Sequence, residues 1–402
     1  MLAIALALNV VATVNFFHPA ATAPPSPGIV SIPSNATKQA TTNATSTAVN
    51  ATITTAPTTT IGIGKLDIKL LGTLPSYPAP TPPLATAATC TNVRKAKQGE
   101  TVFMTLDDGP SASGRFNILE AMAQLNAKST SRPPAYLTFF ESGYNLCGNA
   151  TDELVSLRCA PGSYDNATQG VVWAIKAGHT IAAHSDTHFY DQGKAGCNYL
   201  KMNPLTTIEP SLAHCGNDIA SDFIRGALHL EAAIQSATKD VWTSAGDRAL
   251  RDRTINTLWT NVRLPCTNAW RLPNFTFSSG FAGDVTPAEK AARLNASDVL
   301  FGDAVVACRN ATLKARTWGW DVEWALGRGP NYNVTYEKCN TVNMISKGFD
   351  QPWNRGPNKT NVVVLTHDFY FDSPDKAALL RDVIAELQFN GYNFSTVDKY
   401  TY

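Results

Sequence analysis

The chain has 402 residues, of which 44% are hydrophobic and 16% charged, and its formal net charge is +1. That composition supplies a large core and excludes an intrinsically disordered chain, while the balanced charge excludes the basic excess of a nucleic-acid binder. No apolar run reaches the ~18–20 residues that a membrane-spanning helix needs, so no transmembrane span is expected.

Residues 2–14 (LAIALALNVVATV) are almost wholly apolar, and Ala21-Thr22-Ala23 offers a small-x-small cleavage site downstream. Residues 1–23 therefore read as a secretory signal peptide. Residues 24–86 shift to Ala, Thr, Pro and Ser with little charge, the composition of a mucin-like stalk or a flexible linker. Within them, residues 61–75 form an apolar island able to dock on the domain that follows. Eleven N-x-S/T sequons follow the signal, at Asn35, Asn43, Asn50, Asn149, Asn166, Asn274, Asn295, Asn310, Asn333, Asn358 and Asn393. Eight cysteines, an even count, all lie beyond the stalk, and no two are spaced C-x-x-C. Together these point to a secreted glycoprotein with disulfides, extracellular or associated with a cell wall. The pairing is open.

Residues 87–402 alternate strand-like and helix-like segments. Residues 101–105 and 135–140 predict strands, residues 171–176 a helix stopped near Gly178, and residues 180–183 the next strand. Residues 362–365 are a run of β-branched and apolar side chains suited to a strand covered on both faces, and residues 376–389 an amphipathic helix stopped at Gly391. Repeated βα units predict an α/β fold on a parallel sheet or barrel.

Polar clusters sit where three of these strands end: Asp107-Asp108-Gly109-Pro110, His184-Ser185-Asp186-Thr187-His188 and Thr366-His367-Asp368. In βα barrels chemistry gathers at the carboxyl ends of the strands, so the three can converge. Taken singly each has a plain structural reading. Asp-Asp-Gly-Pro suits an ordinary turn, a lone His367 suits a core histidine, and the i, i+4 spacing of His184 and His188 puts both rings on one face of a helical turn, metal or not. Ser185 stands where a zincin has Glu, and no G-x-S-x-G is present, which excludes that metalloprotease class and gives a serine esterase no support. Taken together, Asp, His and His make a facial N/N/O set suited to zinc or a similar divalent ion.

Thr105-Leu106-Asp107-Asp108-Gly109-Pro110 resembles the first motif of the NodB-homology polysaccharide deacetylases, carbohydrate esterase family 4. The run from Gly178 to His188 resembles the second motif, H-[ST]-x-x-H with its G-H-x-I lead-in, and Leu365-Thr366-His367 resembles the fifth, L-x-H. Trp320-Asp321-Val322-Glu323-Trp324 resembles the fourth, with Glu323 where Asp precedes Trp in the family. The resemblance spans about residues 98–400 and implies a distorted (β/α) barrel of seven strands for residues 87–402, with long inserted loops in the intervals Asp108–His184 and His188–Arg263.

The resemblance also implies roles. Asp107 is the expected general base; Asp108, His184 and His188 are the expected ligands of a divalent metal, zinc first, with cobalt or manganese as alternatives. His367 is the expected general acid, Leu365 and Trp324 the lining of an acetyl-methyl pocket, and Asp321 the carboxylate that orients a charged partner such as His367. The family's third motif places an Arg beside the base. Both Arg263-Leu264-Pro265 and Arg271-Leu272-Pro273 fit, each without the aromatic that usually follows; Arg263 is favoured because a glycan on Asn274 would crowd a cleft at Arg271. Trp318, Trp320 and Tyr190 are candidates for stacking on sugar rings, with burial in the core as the plain alternative. The expected activity is deacetylation of chitin or chito-oligosaccharides by a monomer. An O-acetyl esterase acting on a xylan-like polymer and a catalytically silent carbohydrate-binding wall protein on the same fold stand as alternatives.

Overall fold

The computed structural model describes residues 88–402 except 112–113, 129–132, 147–162, 189–198, 200–218, 237–240, 282–285, 303–304, 307–310, 313, 327–332 and 352–355. The expected signal peptide and stalk, Tyr190 and five of the cysteines lie outside the described residues.

In chain order the elements are β1 (Thr101–Gly109), α1 (Gly114–Lys128), β2 (Thr138–Ser142), α2 (Ser163–Lys176), β3 (Thr180–Ser185), α3 (Ile219–Ser236), α4 (Ala245–Thr260) and β4 (Asn261–Val262). There follow β5 (Thr267–Leu272), β6 (Phe275–Phe281), α5 (Pro287–Phe301), β7 (Val305–Val306), β8 (Ala311–Thr312), β9 (Arg316–Thr317), β10 (Val322–Glu323), α6 (Val334–Gly348), β11 (Asn361–His367), α7 (Pro374–Phe389) and β12 (Asn393–Phe394). Seven strands run parallel in the order β10–β11–β1–β2–β3–β4–β9. The β5–β6 hairpin continues the sheet antiparallel beyond β9, β12 pairs with the start of β1, and β7 pairs with β8 in a separate ribbon. The result is a curled, open (β/α) half-barrel with helices, as the βα alternation predicts for the parallel sheet and the resemblance for the distorted barrel.

Several elements depart from their sequence-based bounds for identifiable reasons. β1 runs on through the polar residues to Gly109 because Asp107 still pairs with His367 of β11, and Gly109 with Glu141 of β2. β2 starts only at Thr138, since the preceding amides are taken by side chains: Ala135 N–H donates to Asn126 Oδ1 and Leu137 N–H to His179 Nδ1. The interval between His188 and Arg263, expected as loop, contains α3 and α4, both packed on β3.

Strand alternation sorts the core into two layers. Val102, Met104 and Leu106 of β1, Ile181 and Ala183 of β3, and Val362 and Val364 of β11 face the helices. Phe103, Phe140, Ala182 and Val363 face inward, where with Trp270, Leu272, Trp318, Val397 and Tyr400 they form a second cluster. Those inward rows end, one or two positions on, at Asp107, His184 and His367. A disulfide joins Cys90 to Cys339 of α6, tying the start of the described chain to a helix 249 residues away. No helix among the described residues is long and apolar enough to cross a membrane.

Candidate active site

Two adjacent carboxylates on a strand normally point to opposite faces. Asp107 and Asp108 escape that rule because the β1–β2 register shifts between Asp107 and Gly109, leaving Asp108 as the extra residue of a β-bulge at φ 63°. The same device acts on β3. Glu141 pairs with Ala183 and Ser142 with Ser185, so His184 is the extra residue there. Gly109 completes the first turn: a Cβ on it would come within 2.5 Å of Arg115 Nη2 and of Glu141 Oε2.

These backbone irregularities bring the polar side chains together. Asp108 Oδ1 lies 3.3 Å from His184 Nε2 and 3.0 Å from His188 Nε2, and Asp108 Oδ2 lies 3.8 Å from His367 Nε2. His188 reaches Asp108 from a left-handed backbone position, φ 59°, in which its N–H donates to Ser185 Oγ at 2.9 Å. The expected helical turn is thus corrected: His184 is in a strand, His188 is in the tight turn after it, and the two rings meet at 5.2 Å through that turn.

Arg263 ties the cluster together and is fully buried. Its Nη1 donates to Asp107 Oδ1 at 2.8 Å and to Thr105 Oγ1 at 2.6 Å, and its Nε and Nη2 donate to the carbonyls of Trp318 and Gly319. Its own carbonyl oxygen lies 2.8 Å from His184 Nδ1, which makes Nδ1 a donor and turns Nε2 toward Asp108. One residue thereby holds Asp107 by its side chain and His184 by its backbone.

The donor set fits a divalent cation on its own chemistry. Two imidazole Nε2 atoms and one carboxylate oxygen lie within 4.8 Å of one another, and Asp108 Oδ1 is buried with no hydrogen bond among the described residues. Burial alone would raise the Asp108 pKa, yet His188 and His184 hold it well below the usual carboxylate range. Burial alone would lower His184, and the charges of Asp107 and Asp108 outweigh it and raise it. Both directions express the same pairing of carboxylate with imidazole, each side favouring the charged form of the other.

The remaining predicted residues fall into two groups. His367 borders the cluster, with Phe369 and Tyr370 rings at 5.1 and 5.4 Å from its own. Leu365, two residues before it, and Trp324 are buried, the Trp324 N–H donating to the Leu365 carbonyl at 2.7 Å. Arg271 does not reach Asp107. It lies on the hairpin, ion-paired with Asp298 at 2.9 Å, because β5 carries it past the end of the parallel sheet. Asp321 is anchored lower on the sheet: its carboxylate accepts the N–H groups of Gly356 and Val363, Val363 being four residues before His367, about 13 Å of strand, and the charged side chain its field acts on is that of Arg263. Trp318 is wholly buried, with its indole N–H donating to Asn261, so it takes the core reading; Trp320 is half-buried beside Arg263.

A second charged cluster, which sequence reasoning missed, lies behind the Asp-Asp-Gly-Pro turn. Arg115 of α1 pairs with Glu141 at 2.7 Å and with Asp368 at 3.0 Å, all three wholly or almost wholly buried. Asp368 also accepts the Ser111 N–H at 2.8 Å. Burial, offset by Arg115 and reinforced by Asp368 and Asp107, pushes the Glu141 carboxyl up to about 7. The available signal was Glu141 itself, a carboxylate inside the apolar strand run LTFFES.

No protein-family model matches the chain, and no curated protein matches it. Among solved structures it is similar to a polysaccharide deacetylase from Bacillus cereus, at 14% identity and TM-score 0.36 over 75% of this chain and 95% of that one. It is also similar to a CE4 esterase from Streptococcus mutans, at 17% identity and TM-score 0.35 over 74% and 86% of the two chains. A chitin deacetylase from the fungal pathogen Colletotrichum lindemuthianum gives 16% identity and TM-score 0.33 over 76% and 89%. At such scores these likenesses carry no weight for the activity of this chain, whose case stands on its own residues.

Proposed function

We propose that this chain is a secreted, metal-dependent polysaccharide deacetylase that hydrolyses the N-acetyl groups of chitin or chito-oligosaccharides and releases acetate. The observation that carries the reading is the joint one: an N/N/O ligand set of Asp108, His184 and His188, flanked by an Arg-paired Asp107 and by His367, at the carboxyl ends of strands within one parallel sheet. Export is supported by the apolar residues 2–14, the sequons and the Cys90–Cys339 bridge.

Asp108, His184 and His188 are the residues that would hold the ion, zinc in the first instance. A divalent ion bound there supplies Lewis acidity toward water and toward an acyl oxygen. Asp107 is the general base. Its Oδ1 is engaged by Arg263, which leaves Oδ2 to accept a proton from the attacking water as the water oxygen bonds to the acetyl carbon. Arg263, itself fixed by hydrogen bonds to Thr105 and to the carbonyls of Trp318 and Gly319, keeps Asp107 oriented. His367 is the general acid: as the C–N bond breaks, it gives a proton to the nitrogen that receives the electron pair, and acetate and a free amine result. The carboxylate beside His367 is that of Asp108, so Asp321 is assigned no part in the proton transfer. Leu365 and Trp324, apolar and next to His367 across β10 and β11, are proposed to receive the acetyl methyl.

The test is acetate release from chitopentaose and from acetylated xylan, with added zinc, with cobalt and with a chelator. Release from the chito-oligomer that the chelator stops supports the proposal. Release from xylan alone moves the leaving group to an oxygen, and no release from either substrate by zinc-loaded protein favours a silent binding protein.

A further inference from the structure

Within the turn Ser185–His188, Ser185 Oγ accepts the His188 N–H, and the turn keeps His188 in a left-handed conformation that β-strand continuation would destroy. Further support comes from α3, which enters the chain more than thirty residues later. Asp222, Arg225, Gly226 and His229 stand at i, i+3, i+4 and i+7 and so share one face of that helix. Gly226 lies against the turn backbone, where a Cβ would overlap the Ser185 carbonyl and the Asp186 nitrogen. With the helix that close, the wholly buried Asp222 carboxylate accepts the Asp186 N–H at 3.1 Å, the Thr187 N–H at 3.3 Å and the Thr187 hydroxyl at 2.8 Å. Arg225 pairs with Asp222 at 3.2 Å and approaches Asp186 at 3.6 Å, and His229 Nδ1 lies 2.8 Å from Asp186 Oδ1.

We infer that Asp222 is a positioning residue of the metal site: by accepting the successive N–H groups of Asp186 and Thr187 it sets the turn that carries His188 Nε2 to 3.0 Å from Asp108 Oδ1. The inference rests on the reading of Asp108, His184 and His188 as metal ligands. Asp222 bonds to Asp186, Thr187 and Arg225 rather than to the side chains of Asp108, His184 or His188, so its effect on the site passes through the turn that carries His188. Removing it leaves two turn amides without their acceptor, and the turn relaxes to other conformations in which His188 faces elsewhere.

The experiment uses the full chain as wild type, Asp222→Ala, Asp222→Asn, His188→Ala and the Asp222→Ala/His188→Ala double variant. Zinc affinity is read by competition with a chromophoric chelator, and cobalt is read by its visible absorption, which reports ligand number and geometry. Asp222→Ala is expected to weaken zinc binding about 10–100-fold and to shift the cobalt spectrum toward that of His188→Ala. Asp222→Asn keeps an acceptor oxygen and falls between it and wild type; it also supplies the measurement if the alanine variant does not fold. In the His188→Ala background the Asp222 change is expected to cost no further affinity, an outcome that a general loss of stability does not produce. Wild-type affinity and spectrum in the Asp222 variants, or full additivity of the two losses, overturns the inference alone. Failure of the wild-type protein to bind zinc or cobalt overturns the metal-site reading beneath it.

Discussion

His179 and His184 bracket the same strand, and the protein treats them in opposite ways. His179, one residue before β3, is buried at the amino end of the sheet, where its Nδ1 accepts the Leu137 N–H at 3.0 Å and its ring meets the edges of Phe139 and Tyr136. Burial, helped by the Arg115 charge, lowers its pKa to about 3, so it is a neutral structural group. His184, equally buried at the carboxyl end, meets Asp107 and Asp108, and these raise it despite the burial. Two identical side chains five residues apart are thus assigned different work by the polarity of the strand ends: apolar plug and satisfied amides at one, converging carboxylates and imidazoles at the other.

The comparison can be broken most forcefully by exchanging the two histidines' fates. His184→Ala is expected to weaken zinc binding by more than the about 10–100-fold that loss of an outer hydrogen-bond partner costs, whereas His179→Gln leaves zinc affinity within about twofold. Calorimetric zinc titration of both variants checks this, and equal losses would end the distinction.

A contrast of the same kind holds for the two arginines. Arg263→Met strands the buried Asp107 carboxylate and is expected to cost about 3–5 kcal/mol in urea unfolding. For Arg271→Ala, which loses a partly exposed pair with Asp298, the expected cost is under about 1 kcal/mol with acetate release unchanged.

The acid limb of stability sharpens the picture of His179. Below pH 6.5 the unfolded chain takes up a proton there that the folded chain refuses until about pH 3, so acidification through that window favours unfolding by about 1.4 kcal/mol per pH unit. That part of the stability is present above pH 6.5 and lost as pH falls. His179→Gln is expected to flatten the slope of unfolding free energy between pH 6 and 4 by about that amount, measured by denaturant titration. An unchanged slope would show that His179 titrates normally.

What the sequence made readable was whatever short-range pattern determines. Apolar, β-branched runs ending in Asp107-Asp108, His184 and His367 mark strand ends, and strand ends are where parallel sheets present side chains. In the sequence only the sequon at Asn274 separates Arg263 from Arg271, whereas in the fold the hairpin separates them by carrying Arg271 beyond the parallel strands. What stayed hidden depends on partners distant in sequence. The i, i+4 spacing of His184 and His188 was ambiguous because a β-bulge and a left-handed turn can bring the same two rings together as a helical turn does. The surroundings of Asp321 are not legible locally, because the N–H groups its carboxylate accepts, those of Gly356 and Val363, follow it by 35 and 42 residues. Arg115, Glu141 and Asp368 come from three elements, and nothing local to any one of them announces the other two.

The central claim is a division of labour between neighbouring carboxylates, Asp108 for the ion and Asp107 for the proton. It is tested most directly by measuring zinc content and acetate release from chitopentaose in the same preparations of wild type and Asp107→Asn. The account predicts one zinc per chain in both, with release falling by at least about 10²-fold in the variant. Loss of zinc from Asp107→Asn, or acetate release at the wild-type rate, would contradict it.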